Sequence, residues 1–167
     1  MKFLERFLRV RSVGWTVRFQ WTGYKKPEAK KMDLKYFNLQ TDPLMKGLDD
    51  RLMLMSDSAH ESASAIMPGI KFIITSGLRT PEQNNSVLKG AVPDSAHLTG
   101  LAADYAVASV QALFAMLEGL HDARFKRVGI YYKIEPADPY TLIPVHLHVD
   151  IDESKPQNCL FTKIERN

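Results

Sequence analysis

The residues of this chain best equipped for chemistry lie in two short segments, Ser95-Ala96-His97-Leu98-Thr99-Gly100-Leu101-Ala102-Ala103-Asp104 and His146-Leu147-His148. Two imidazoles and one carboxylate are enough to hold a Zn²⁺ ion with one coordination position left open. That is the arrangement of a hydrolytic zinc, whereas structural zinc usually takes four ligands rich in cysteine. Cys159 is the single cysteine, so a structural site of that kind is excluded. His97 and Asp104 are too far apart on one helix to share an ion. With Gly100 as a turn between them, a loop histidine and a strand aspartate can point at one spot. In His146-Leu147-His148 the two imidazoles share one face of a strand, where one can ligate and the other can stand beside a bound water. His60 and His121 lie in helix-like stretches without partners and receive no role.

The elements that must position these groups are legible from periodicity. Leu44, Leu48, Leu52, Met55, Ala59, Ala63 and Ile66 have helical spacing, which predicts a helix over 43–67. Asp42 would cap it, Pro43 would occupy its first position, and Pro68-Gly69 would stop it. Residues 71–75 read as a buried strand running into the turn Ser76-Gly77-Leu78-Arg79, with a short helix from Pro81. A strand is expected at 101–107, a helix at 109–120, and strands at 128–134 and 145–151, with a turn over 136–139. Residues 12–21 alternate Val13, Trp15, Val17, Phe19 and Trp21 with polar residues, the pattern of a half-buried strand. Residues 22–34 read as a loop. The expected organisation is an N-terminal arm with an amphipathic strand over 1–34, then a domain over 35–167. A long helix followed by mixed strands and helices implies an α+β class with a small, mostly antiparallel sheet flanked by helices.

Composition bounds the function. At 167 residues with 45% hydrophobic content, the chain is long enough for one well-filled core. The net charge of +3 is mild. Basic residues cluster only at Lys25-Lys26 and Lys30-Lys31, so no nucleic-acid partner is expected. Charges interrupt the first nine residues every few positions, unlike the apolar segment of a signal peptide, and no stretch is long and apolar enough to predict a transmembrane helix. The expectation is a protein that is cytoplasmic at synthesis.

The segment 95–104 matches Ser-x-His-x-x-Gly-x-Ala-x-Asp at every fixed position. It resembles the signature of the M15 zinc D-Ala-D-Ala peptidases, a group that extends to peptidoglycan endopeptidases, phage endolysins and the hedgehog signalling domain. Ile74-Thr75-Ser76-Gly77-Leu78-Arg79 is similar to that family's Ser-Gly-Tyr-Arg segment, with Leu78 in place of Tyr. Val145-His146-Leu147-His148-Val149-Asp150-Ile151 is similar to its closing histidine strand. The resemblance implies a hedgehog/DD-peptidase-like fold and Zn²⁺ held by His97, Asp104 and His148. It further implies that Arg79 and Ser95 contact substrate, and that the substrate is a peptidoglycan stem peptide. A wall hydrolase without a signal peptide would need a holin-type exit or a place in a virion, so wall or virion association and a phage lysis role are expected. Several members carry a glutamate three residues before the last zinc-binding histidine, as general base, where this chain has Val145. His146 and Glu135 are the candidates to replace it, and Asp150 could orient an imidazole. A zinc-stabilised module without catalysis is the competing expectation.

Overall fold

A computed structural model describes residues 32–38, 40–87 and 92–165. The strand expected at 12–21, and nearly all of the arm, lie outside the described residues. A 3-10 helix, Pro43–Met45, precedes helix α1 (Asp50–Ile66). There follow β1 (Ile74–Ser76), α2 (Pro81–Val87), a second 3-10 helix (Ala96–Thr99), β2 (Ala102–Ala106) and α3 (Val110–Asp122). Strands β3 (Arg127–Glu135), β4 (Asp138–Asp150) and β5 (Cys159–Glu165) complete the chain. The class is α+β. The sheet order is β1-β2-β4-β3-β5, antiparallel throughout except for the β3–β5 pair.

Four expectations change. The single helix over 43–67 is two pieces, because Gly47 adopts a left-handed φ of 83° and breaks the run. Asp42 caps the 3-10 turn through Leu44 N–H, and Asp49 caps α1 through Arg51 N–H. The strand expected at 71–75 is confined to Ile74–Ser76, although Phe72 is buried. The turn expected over 136–139 is only Pro136-Ala137, so β4 starts at Asp138 and runs for 13 residues. Strand β5 had no counterpart in the sequence reading.

Alternation along the strands divides the sheet into a packed face and a chemical face. Ala103, Tyr105, Val128, Ile130, Leu147 and Val149 point to one side and join Leu52, Met53, Ala59, Ala63, Met116 and Leu120 of α1 and α3 in one core. Each large side chain buried in this way stabilises the fold by about 1.5–3 kcal/mol. Fully buried Tyr105 meets its polar requirement by a 2.6 Å hydrogen bond to Ser56 Oγ, which itself donates to Leu52 C=O at 2.8 Å.

The two long helices touch through backbone. A Cβ on Gly119 would stand 2.2 Å from Ala59 C=O and 3.0 Å from Ala63 Cβ. Gly119→Ala is therefore expected to push α3 off α1 in spite of alanine's better helix propensity. Overpacking of this kind costs about 1–3 kcal/mol. A lowered urea midpoint with an unchanged slope checks this, and an unchanged or raised midpoint would refute it.

Candidate metal centre

The face of the sheet opposite the core carries His146, His148 and Asp150 from β4. Asp104 on β2 is in direct register with His148, so one hydrogen-bonded pair of strands places two of the three expected ligands side by side. His97 arrives on the 3-10 helix, whose C-cap Gly100 has φ 73°. A Cβ at Gly100 would lie 2.2 Å from Gly47 C=O. The motif's glycine is thus required twice, for its left-handed turn and for the close passage of a second backbone. Asp49 N–H donates to Gly100 C=O at 3.0 Å, which ties this turn to the start of α1.

The three side chains converge. His97 Nε2 is 3.2 Å from Asp104 Oδ1 and 3.2 Å from His148 Nδ1, and His148 Nδ1 is 2.8 Å from Asp104 Oδ1. Their donor atoms all fall within 4.8 Å of one another, and no other such group occurs among the described residues. The atoms turned away from this point are all occupied. His97 Nδ1–H donates to Gly77 C=O at 2.8 Å, which leaves the Nε2 lone pair directed inward. His148 Nε2–H donates to Asp150 Oδ2 at 3.1 Å and leaves Nδ1 inward. Asp104 Oδ2 accepts from Arg79 Nη2 at 2.7 Å, while Arg79 Nε donates to Ser76 Oγ at 2.7 Å. Asp150 is held in turn by Arg127 Nε at 2.8 Å. Outer partners of this kind fix the tautomer and orientation of metal ligands. Two inward nitrogens and one inward carboxylate oxygen form a donor set suited to zinc.

The electrostatics describe the site before a cation enters it, with a proton held where a metal would sit. Burial disfavours charge on His148, but Asp104 and Asp150 outweigh it and push its pKa up to about 9. Burial likewise favours the neutral acid at Asp104, yet the neighbouring His148 and His97 imidazoles outweigh it and hold the carboxyl well below the usual carboxylate range. Two carboxylates and two imidazoles crowded together in this way form a nest for a compact cation.

The site opens into a cavity of about 280 Å³. His97, Asp104, His148, His146, Arg79 and Ser95 all line it. Ser95 precedes the 3-10 helix, and its side chain makes no capping bond there. His146 stacks on Tyr131 with ring centroids 4.2 Å apart, and its Nδ1 is 3.5 Å from Glu165 Oε1. Burial, the main influence, lowers the pKa of His146 and so favours the neutral imidazole.

Glu135 is not brought to the site. It pairs with Asp138 at the far end of the β3–β4 hairpin, eight positions before His146 along β4. Along β3 it lies four positions beyond Tyr131, the partner of His146, which at ~3.3 Å per residue is roughly 13 Å along the strand. The tight turn keeps the hairpin extended and so carries Glu135 away from the cavity. The carboxylate beside His146 is instead Glu165, which sequence reasoning missed together with Phe161 and Lys163. All three lie on β5, at alternate positions on the cavity side. Phe161 crosses Gly129, where a Cβ would be 2.4 Å from the ring, and Arg127 covers it at 4.8 Å.

No helix among the described residues is long and apolar enough to cross a membrane. No curated protein and no solved structure matches the chain. Residues 32–135 match the family Peptidase M15, a span that takes in Arg79, His97 and Asp104 and stops before His146. His148 is added by the geometry, through its register with Asp104. With more than half of its length matched and a His-Asp-His group at the motif, the chain belongs to the peptidase M15 family.

Proposed function

We propose that this chain is a zinc-dependent hydrolase of peptide bonds in peptidoglycan stem peptides or cross-links. The observation that carries the reading is the convergence of His97, Asp104 and His148, each with its outward atom held by another residue. Zinc bound there would supply Lewis acidity and lower the pKa of a bound water to about 7.

The chain's own residues divide the remaining work. His146 is the proton acceptor: burial keeps it neutral, Glu165 engages Nδ1, and Nε2 is the nitrogen that takes up and returns the proton. Arg79 holds Asp104 in place through Nη2. Its Nη1 has no partner among the described residues, and the side chain lines the cavity, so it can also meet a substrate carbonyl as negative charge develops. Ser95, at the rim of the ligand loop, contacts the substrate backbone. The presence of His146 supports an active enzyme over a catalytically silent module, despite Val145.

The test is to incubate purified protein with peptidoglycan, with and without a chelator, and to analyse released fragments by mass spectrometry. We expect new amine and carboxylate termini from the stem peptide, loss of cleavage on chelation, and recovery on adding Zn²⁺. Cleavage that persists without metal would overturn the zinc reading. Full zinc content with no cleavage of any stem peptide would favour the non-catalytic module instead.

A further inference from the structure

Four cations line the cavity, and three are each committed to one carboxylate. Arg79 binds Asp104, Arg127 binds Asp150, and Lys155 binds Asp94. The fourth lining carboxylate, Glu165, is shared between His146 at 3.5 Å and Lys133 at 3.8 Å. Lys163 is left over. Among the described residues it is the one lining cation without a carboxylate within 4.0 Å, and its side chain is exposed.

Lys163 is also placed rather than merely solvated. It projects from the cavity side of β5, in register with Tyr131, and its ammonium lies 5.7 Å from the centre of the Tyr131 ring. A cation over an aromatic face at that distance is attracted to it. Tyr131 in turn stacks on His146. The row Lys163, Tyr131, His146 therefore runs across three neighbouring strands toward the ligands. With strands ~4.8 Å apart, β5 stands about 10 Å from β4. Since one extended residue spans about 3.3–3.6 Å, an anion met by Lys163 would belong to a group within a few residues of the bond being cut.

From this placement we infer that Lys163 is a specificity-determining residue that binds a carboxylate of the peptide substrate. The inference rests on the peptidase reading above and deepens it, because it makes the preferred substrate an acidic peptide. A peptide of the proposed class offers two sources of that carboxylate, the C-terminus and an acidic side chain near the scissile bond.

The experiment uses two matched pairs of ligands on the zinc-loaded protein. One is a stem pentapeptide as free acid or as C-terminal amide. The other is the same peptide with diaminopimelate or lysine at its third position, which adds or removes one side-chain carboxylate. Affinity is measured by calorimetry and cleavage by steady-state kinetics, for wild type, Lys163→Ala, Lys163→Arg and Lys163→Glu. We expect wild type to prefer the carboxylate-bearing member of one pair by about ten-fold, the scale of a hydrogen bond to a charged group. The preferred pair identifies the source. Lys163→Ala should abolish the preference through KM and Kd with kcat nearly unchanged, Lys163→Arg should retain it, and Lys163→Glu should reverse it. Wild-type preferences in the Ala and Glu variants, or equal binding of both members of both pairs by wild type, would overturn the inference. Failure to cleave any peptide while the binding preference holds would count against the peptidase reading alone.

Discussion

Asp104→Ala is expected to abolish stoichiometric zinc binding and all peptidase activity. The carboxylate is one of three converging donors, and it is also the partner of Arg79, whose side chain is only 14% exposed. Removing it leaves the Arg79 guanidinium and His97 without their carboxylate, while His148 keeps only Asp150. Breaking a buried pair from one side costs about 3–5 kcal/mol. The measurement separates the two losses: zinc per chain by elemental analysis, and urea unfolding of variant and wild type both in chelator. Near-stoichiometric zinc in Asp104→Ala, and likewise in His97→Ala and His148→Ala, would sink the ligand assignment. Asp104→Asn keeps the shape and serves as the control for cavity effects.

His146→Ala is expected to keep its zinc and lose at least about 10²-fold in turnover, the usual scale for removing a general acid or base. The imidazole lines the cavity two residues from a ligand on the same strand face, yet it is absent from the converging group itself. Folding should change little, since only the stack on Tyr131 and the contact to Glu165 are lost. Glu135→Gln should behave as wild type, because Glu135 does not line the cavity. A silent Glu135→Gln with an active His146→Ala would falsify the whole account of proton transfer. An inactive Glu135→Gln would mean that the two roles are exchanged.

The candidate ligands were legible because their chemistry is scarce: few residue types bind zinc, and here they sit in two short runs. Asp150 was legible for a similar reason, two positions from His148 on one strand face. The helices were legible from apolar periodicity, apart from the break at Gly47, since Leu44 and Leu48 keep helical spacing even though the backbone between them does not. Strand β5 was not legible. Its alternation sets Phe161, Lys163 and Glu165 against Leu160, Thr162 and Ile164, so neither face is wholly apolar, and Leu160 is 62% exposed. A tendency toward β residues after Asn158, itself at φ 56°, was the only local signal. Glu165 could not be linked to His146 from sequence because the link depends on parallel pairing of β5 with β3, joined only after all of β4 has intervened.

The pairing of β2 with β4 also acts as a proofreading device for the metal centre. A slip of β4 by one residue would exchange its two faces entirely. Leu147 and Val149, fully buried against the helices, would be turned out to water, while His146, His148 and Asp150 would be forced into an apolar interior. Each misplaced apolar side chain forfeits about 1.5–3 kcal/mol, and each stranded polar group costs further. The wrong alignment is therefore rejected by the oil-like side of the strand before any ion is met. The candidate ligands are aimed by the hydrophobic effect acting on their neighbours in the chain, so the metal-free protein should already hold their geometry, and a cation should need only to displace the His148 proton.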